Sequence, residues 1–454
     1  MLVRFVVSNF LSFREETEFN LLTGSVRSLP DHVYEPIEGL RLLRSAAIYG
    51  ANGAGKSNLV KAIEALHDTV VEGEWSMEKS WRPFKIGQAT QGQPTHFEVE
   101  VVVKGQTYAY GLTVRRDTIV EEWLYRTEVE GKDECLFERT FQAGSLHLAF
   151  HPDYLQTEKS RLRKSLYEEE LLKPQQLLLS LMAQAKDEFS EAKQVFQWFE
   201  EQLYYIFPAT KPLGLAERLI SLESFRQFTT ELFGTLQTGV QELRIEELSL
   251  EEFLGENERD QIEEIKELLD EENQRLSLAH VSGSEEVVVR KQEEGHMVLR
   301  ILPIHLDESG QEIEFTLRDE SDGTRRLLEL IPAFYQAMTQ GHTVIIDEVG
   351  RSIHPALLKA LLKKFSQESA NGQLIFTTHE SNLLDQEIFR RDEIWLTEKD
   401  KSGQTHMYPL SDFDIRKDLD IRKGYLNGRF GAIPFLGDLE HLNWSRYAEE
   451  EPSV

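Results

Sequence analysis

Cysteine is almost missing from these 454 residues, with Cys135 standing alone. A single thiol excludes an intramolecular disulfide framework and any cysteine-rich zinc site, and Cys135 is expected to be an inert core thiol rather than a nucleophile. Long hydrophobic runs are missing too. No stretch approaches the roughly 20 apolar residues of a membrane-crossing helix, so no membrane association is expected. The opening "MLVRFVVSNFLSF" carries Arg4 inside its apolar run and no cleavage pattern. It reads as a first strand, not a signal peptide, and the expected location is cytoplasmic. Positive charge is scarce as well: Lys and Arg number 50 against 79 Asp and Glu, a formal charge of −29. Such a chain repels nucleic acid as a whole, and any DNA or RNA contact needs a local basic patch. Broad or tight nucleic-acid binding is therefore not expected. A basic protein partner suits the balance better, although the charge alone also serves plain solubility.

What is present begins with a glycine-rich stretch, "IYGANGAGKSN", at residues 48–58. Its Gly-x-x-x-x-Gly-Lys-Ser pattern predicts a phosphate cradle formed by Gly50, Asn52, Gly53, Ala54, Gly55, Lys56, Ser57 and Asn58. Glycines let successive backbone N–H groups curl around phosphate oxygens. Lys56 reaches the β- and γ-phosphates, and the Ser57 hydroxyl ligates Mg²⁺. The alternative, a chance glycine-rich turn, is disfavoured by the flanks. Residues 42–50 end in an apolar run suited to a buried strand, and Leu59, Ile63 and Leu66 follow at helical spacing. A helix starting here turns its positive end to the anion. The expected ligands are ATP and Mg²⁺.

Far downstream, "TVIIDEVGRSIHP" places an apolar strand ahead of Asp347 and Glu348, at the end where open α/β sheets hold ligands. Asp347 suits the Mg²⁺ ion, directly or through water. Glu348 is placed to take the proton from an attacking water. Another apolar run, "QLIFTTHESNLLD", ends at His379, a candidate γ-phosphate sensor whose plainer alternative is a hydrogen-bonded turn. Between the cradle and the acidic strand lies "ESDGTRRLLELIPAF", where Ser321 and Gly323 open a helix and present a hydroxyl and free N–H groups to an anion. Taken locally, that is simply a good N-cap.

The order of these segments gives the N-cap a second meaning. Cradle, long insertion, Ser-x-Gly helix, Asp-Glu strand and strand-end histidine together resemble the ABC-type ATPase head of the superfamily that includes SMC and RecF proteins. The resemblance implies that Ser321 and Gly323 act in trans on ATP held at Lys56 of a second head. It also implies a Gln loop, for which Gln88, Gln91 and Gln93 are all near a plausible place. The departure from the transporter signature Leu-Ser-Gly-Gly-Gln argues against a transporter subunit. With "FVVSNFLSFREETEFNLL" near the start and "GYLNGRFGAIPFL" near the end, the chain resembles RloA- and AbiLi-type ATPases. These are relatives of the OLD-type and PARIS-system ATPases of bacterial anti-phage defence. That resemblance implies an ATPase that gates a separately encoded effector, often nuclease-like (TOPRIM- or RloB-like), and works as a homodimer of heads or a higher homo-oligomer. A DNA-maintenance ATPase of the SMC or RecF kind is the runner-up. The terminal "YLNGRFGAIP" has no role that its chemistry explains.

The expected architecture is α/β. One discontinuous ABC-type P-loop head is formed by residues 1–150 and 285–454, and a helical insertion at 151–284 projects from it. Residues 95–126 read as antiparallel strands: Phe97, Val99, Val101 and Val103 share a face, and Lys104-Gly105 suits a tight turn. From about 159 the texture turns helical, with Pro174 at a helix start or break. A second helical stretch is expected from 215 to 278, where Ile262, Ile265, Leu269 and Leu276 suggest about two heptads. The small basic run "EKSRLRK" at 158–164 is too limited for a broad nucleic-acid groove.

Overall fold

The computed structural model describes residues 1–433 except 88–89, 91, 130, 143, 186–188, 210–214, 237, 256–257, 272–274, 280–285, 293–294, 370 and 417–418. Its centre is a six-stranded sheet in the order Leu203–Ile206, Thr343–Ile346, Gln373–Thr377, Ser45–Gly50, Ile394–Lys399, Thr405–Pro409. The first five strands are parallel and the last is antiparallel. The middle strands read as continuous apolar runs because both faces are covered. Ile48, Ile345, Ile375 and Trp395 pack with Leu59, Val60, Ile63 and Leu66 of the helix Lys56–Glu72. Tyr49, Val344, Ile346, Phe376 and Leu396 face the other way, onto the helices Asp322–Tyr335 and Pro355–Glu368.

A second sheet of seven antiparallel strands holds Leu2–Ser8 and Thr17–Asn20 beside the strands of residues 95–150. Phe97, Val99, Val101 and Val103 do share its buried face. Lys104 and Gly105 make the tight turn with φ of 50° and 78°, and Val103 then pairs with Gln106. Cys135 is half-buried on the strand Glu134–Gln142 rather than in the core. Partial burial and the neighbouring Glu138 charge raise its pKa, against a hydrogen bond with Tyr125. One buried amide stitches the two sheets together. Gln373 accepts from Leu2 N at 2.6 Å and Thr343 Oγ1 at 3.0 Å, and donates to the carbonyls of Leu2 at 2.9 Å and Leu43 at 3.3 Å. Both lone pairs of its oxygen and both hydrogens of its nitrogen are thereby engaged, as a buried amide requires.

The stretch 151–284 departs from the expected projecting helical insertion in two ways. Two of its early helices, Leu178–Ala183 and Ser190–Gln197, do not stand away from the head. Leu178, Leu179, Met182, Ala192, Val195, Trp198 and Phe199 join the core that contains the cradle helix, because apolar residues on this scale need a partner surface. The buried Glu122 fastens them by accepting the N–H groups of Leu178 at 2.8 Å and Leu179 at 2.9 Å. Arg139 beside it donates to the carbonyls of Gln176, Lys173 and Pro174. Pro174 thus lies in a break between helices.

Strands also interrupt the helical texture. Leu203–Ile206 is an edge strand of the parallel sheet, and Glu242–Ser249 pairs along its length with Gly295–Leu306. The expected helix over 215–278 is therefore wrong at 242–249 and 275–279, where strand pairing, with Gly295–Leu306 and with Glu286–Gln292, outweighs local propensity. Ile262, Ile265 and Leu269 do lie on the buried face of the helix Arg259–Glu271, but against Val287, Val289 and Val298 of a sheet, not a second helix. Leu276 belongs to the strand Arg275–Ala279, in register with Val289. The two-heptad reading does not hold.

Candidate functional site

The cradle grows from the strand Ser45–Gly50, buried throughout and hydrogen-bonded on both edges. At its end Gly50 is required by space, since a Cβ there would run into the Thr397 carbonyl. The loop then turns back through Gly53 and Gly55, at φ of 78° and 116°, values side chains rarely tolerate. A Cβ at Gly55 would also strike Thr405. The helix Lys56–Glu72 starts without a side-chain cap, which leaves its first N–H groups to an anion. Lys56 is only 6% exposed. Its Nζ donates to the carbonyls of Gly50 at 2.9 Å and Ala51 at 3.1 Å. Burial lowers its pKa to about 8, against the opposing pull of Asp347 and Glu348.

The acidic strand meets the cradle from two strands away. Ser57 Oγ donates to Asp347 Oδ1 at 3.0 Å, across 290 positions of sequence. The intervening strand supplies Thr377, whose Oγ1 donates to the same Asp347 oxygen at 2.6 Å and accepts the Glu348 N–H at 2.8 Å. Glu348 has φ 52°, a left-handed conformation that costs a non-glycine residue about 1–2 kcal/mol. Strain of this kind concentrates at functional sites. His379 is exposed two residues past Thr377. Partial desolvation and then the Lys56 charge lower its pKa, while Glu348, Asp347 and a hydrogen bond to the Gly50 backbone act against them. The sensor candidate, the cradle lysine and both acids thus share one electrostatic neighbourhood.

A protein family described as "AAA domain, putative AbiEii toxin, Type IV TA system" matches residues 45–161 and 199–385, more than half of the chain. The chain belongs to this family of AAA-type ATPases. Among solved structures, the SMC head domain from Thermotoga maritima is 14% identical, with 90% of this chain and 98% of that one covered and a TM-score of 0.38. The SmcHead bound to the C-winged helix domain of ScpA is 15% identical, covering 90% and 97%, with a TM-score of 0.41. The Smc head with an extended coiled coil, bound to the C-terminal domain of ScpA derived from Pyrococcus furiosus, is 11% identical, covering 90% and 96%, at 0.37. No curated protein matches the chain.

A nucleotide fits what an ATPase of this family presents here. The loop has no room for side chains at Gly50 and Gly55, a buried cation stands at its base, and two hard oxygen donors, Ser57 and Asp347, adjoin it. Among the described residues no three His, Cys, Asp or Glu side chains form a metal cluster. One hydroxyl and one carboxylate suit Mg²⁺, which keeps waters and phosphate oxygens as its remaining ligands. When bound, Mg²⁺ would neutralise charge on the phosphates.

Not every expected residue meets the site. Asn52 and Gly53 are exposed at the loop tip. Asn58 donates to Ser12 Oγ at 2.7 Å, behind the loop. The Ser321 hydroxyl accepts from Thr324 N at 3.1 Å as a helix cap. A Cβ on Gly323 would come within 2.9 Å of the Ser352 carbonyl, in the turn that follows Glu348. Among the described residues no hydrogen bond joins Ser321 or Gly323 to the cradle of the same chain. Gln88 and Gln91 lie outside the described residues, and Gln93 is exposed, its carbonyl accepting from Asn9.

Three residues of the site belong to no motif of the sequence. Thr377 is hidden in an apolar run. Ser12 and Thr405 brace the back of the loop, with Thr405 Oγ1 within 2.7 Å of Ser12 Oγ and donating to the Ala54 carbonyl at 2.8 Å. For Ser12 the available signal is a polar residue set between apolar ones in "SNFLSF". The terminal segment also gains a role. Tyr425 lies edge-on to Tyr49, the residue before Gly50, with ring centroids 6.0 Å apart. Its hydroxyl donates to the Ala432 carbonyl at 3.1 Å, so the segment braces the cradle strand.

Proposed function

We propose that this chain binds ATP with Mg²⁺ at Lys56 and Ser57 and hydrolyses it with Glu348 as the base. The signature residues Ser321 and Gly323 come from a second copy. The cycle regulates a separately encoded effector in a bacterial anti-phage system. The observation that carries this reading is the convergence of Lys56, Ser57, Asp347 and Glu348 at one end of the parallel sheet, while Ser321 caps its own helix apart from them. A complete site therefore calls for a second head. The family description, which names a putative toxin of a type IV toxin–antitoxin system, supports a role in a two-gene regulatory system. The charge of −29 suits a basic effector, TOPRIM- or RloB-like, held by the acidic surface or the 151–284 insertion. In this reading the head combines residues 1–150 and 285–454 with residues 178–206, whose helices share its core and whose strand edges its central sheet.

Two experiments test it. Chains carrying Lys56→Ala and chains carrying Ser321→Arg should each be inactive alone and regain part of the ATPase activity when mixed. A mixed dimer contains one site with both halves intact. No recovery from demonstrated mixed dimers would mean that each chain closes its own site. Co-purification with the product of the adjacent gene should depend on ATP and weaken with salt, as a screened charge attraction does. Sub-micromolar duplex-DNA binding at physiological salt, with no protein retained in any nucleotide state, would favour DNA maintenance instead.

A further inference from the structure

We propose that Thr377 is a positioning residue that holds the metal-ligand carboxylate and the general base in a fixed relation, a role that rests on the ATPase reading above. The strand Gln373–Thr377 lies between the strand that delivers the acids and the strand that delivers the cradle. Thr377 is its last residue and is fully buried. A hydroxyl has one hydrogen to give. The Glu348 amide can only donate, so Thr377 Oγ1 accepts it at 2.8 Å and turns its own hydrogen to Asp347 Oδ1 at 2.6 Å. The Thr377 carbonyl also accepts from Val349 N at 3.1 Å. One residue thus grips three consecutive positions of the acidic turn and holds Glu348 in its left-handed conformation.

The same backbone ties the grip to the rest of the site. Thr378 N donates to the Ile48 carbonyl at 3.0 Å, which registers the strand on the cradle, and His379 follows at once. His379 is thus two positions along the chain from the residue that orients Glu348. Asp347 Oδ1 receives Ser57 as well as Thr377, so its orientation survives when Ser57 turns to another ligand. A polar residue is needed here although every other position of this strand after Gln373 is filled by Leu374, Ile375 and Phe376.

Thr377→Val in the full chain keeps the shape and removes both side-chain hydrogen bonds. The expected result is ATP affinity within about threefold of wild type, kcat lower by about 10- to 100-fold, and KM unchanged, the pattern of an interaction needed in the transition state alone. Amide hydrogen exchange in the peptide covering residues 347–351 should accelerate, because the Glu348 N–H loses its acceptor. Thr377→Ser should restore both the rate and the protection. Wild-type kcat and exchange in Thr377→Val would overturn the proposal, as would equal loss of ATP binding and melting temperature in both variants, which marks a merely structural residue. Absence of ATP turnover in the wild-type chain would instead overturn the ATPase reading, and this role with it.

Discussion

ATP affinity is expected to fall by about a hundredfold or more when Lys56 is replaced by alanine. Each charge-assisted hydrogen bond from its ammonium to a phosphate contributes about 1.5–3 kcal/mol, and two such bonds convert to at least about two decades in Kd. In the chain itself the ammonium is held by the carbonyls of Gly50 and Ala51, so the substitution also frees the loop that must close on the ligand. A nucleotide titration measures the loss. Thermal melting separates it from misfolding, because ATP should raise the melting temperature of the wild type and not that of the variant. The pKa of about 8 adds a pH dependence with a definite sign. Above that pH the free chain has a neutral Lys56, and binding a phosphate must take up a proton. Wild-type affinity should therefore fall as pH rises beyond about 8, while the residual affinity of Lys56→Ala should lack that component. Unchanged affinity and turnover in the variant would remove this loop from the site.

Glu348→Gln should separate binding from hydrolysis. Glutamine keeps the size of the side chain and can occupy the same backbone conformation, and Asp347 with Ser57 stays in place, so ATP should bind as before. Only the proton acceptor is lost, a change that costs on the order of 10²–10⁴ in rate. ATP should then hold two heads together long enough for the dimer to be seen by size-exclusion chromatography with light scattering. Single-turnover phosphate release reads the rate. Hydrolysis at the wild-type rate would move the base elsewhere, and His379 is the group to test next.

How much of this is legible in the sequence depends on range. The cradle is a local pattern: glycines, lysine and serine act within a few residues, and the space left by Gly50 and Gly55 can be anticipated because only a residue without a side chain fits. The apolar runs that end in Asp347 and His379 announce strands buried on both faces. The antiparallel face of Phe97, Val99, Val101 and Val103 follows from period-two alternation. Residues 242–249 mislead for the opposite reason. "ELRIEELS" has a helix former's composition, and it becomes a strand because Gly295–Leu306 offers an edge to pair with. Ile262, Ile265 and Leu269 have a spacing that fits both a coiled coil and a helix lying on a sheet, and the spacing cannot choose between them.

The sequence by itself determined that this chain has a glycine-rich loop on a strand–helix joint, a pair of acids at a strand end, and a net charge of −29. Each rests on residues close together in the chain or on a sum over all of them. The tertiary structure alone decided that Ser57 meets Asp347, that Thr377 stands between the acids and the cradle, that Ser12 and Thr405 brace the loop from behind, and that the helices of residues 178–197 pack into the head. These depend on strand order in a sheet whose cradle strand has both its neighbours hundreds of positions away in sequence. Local propensity carries no information about which distant strand will fill an edge, and packing settles it.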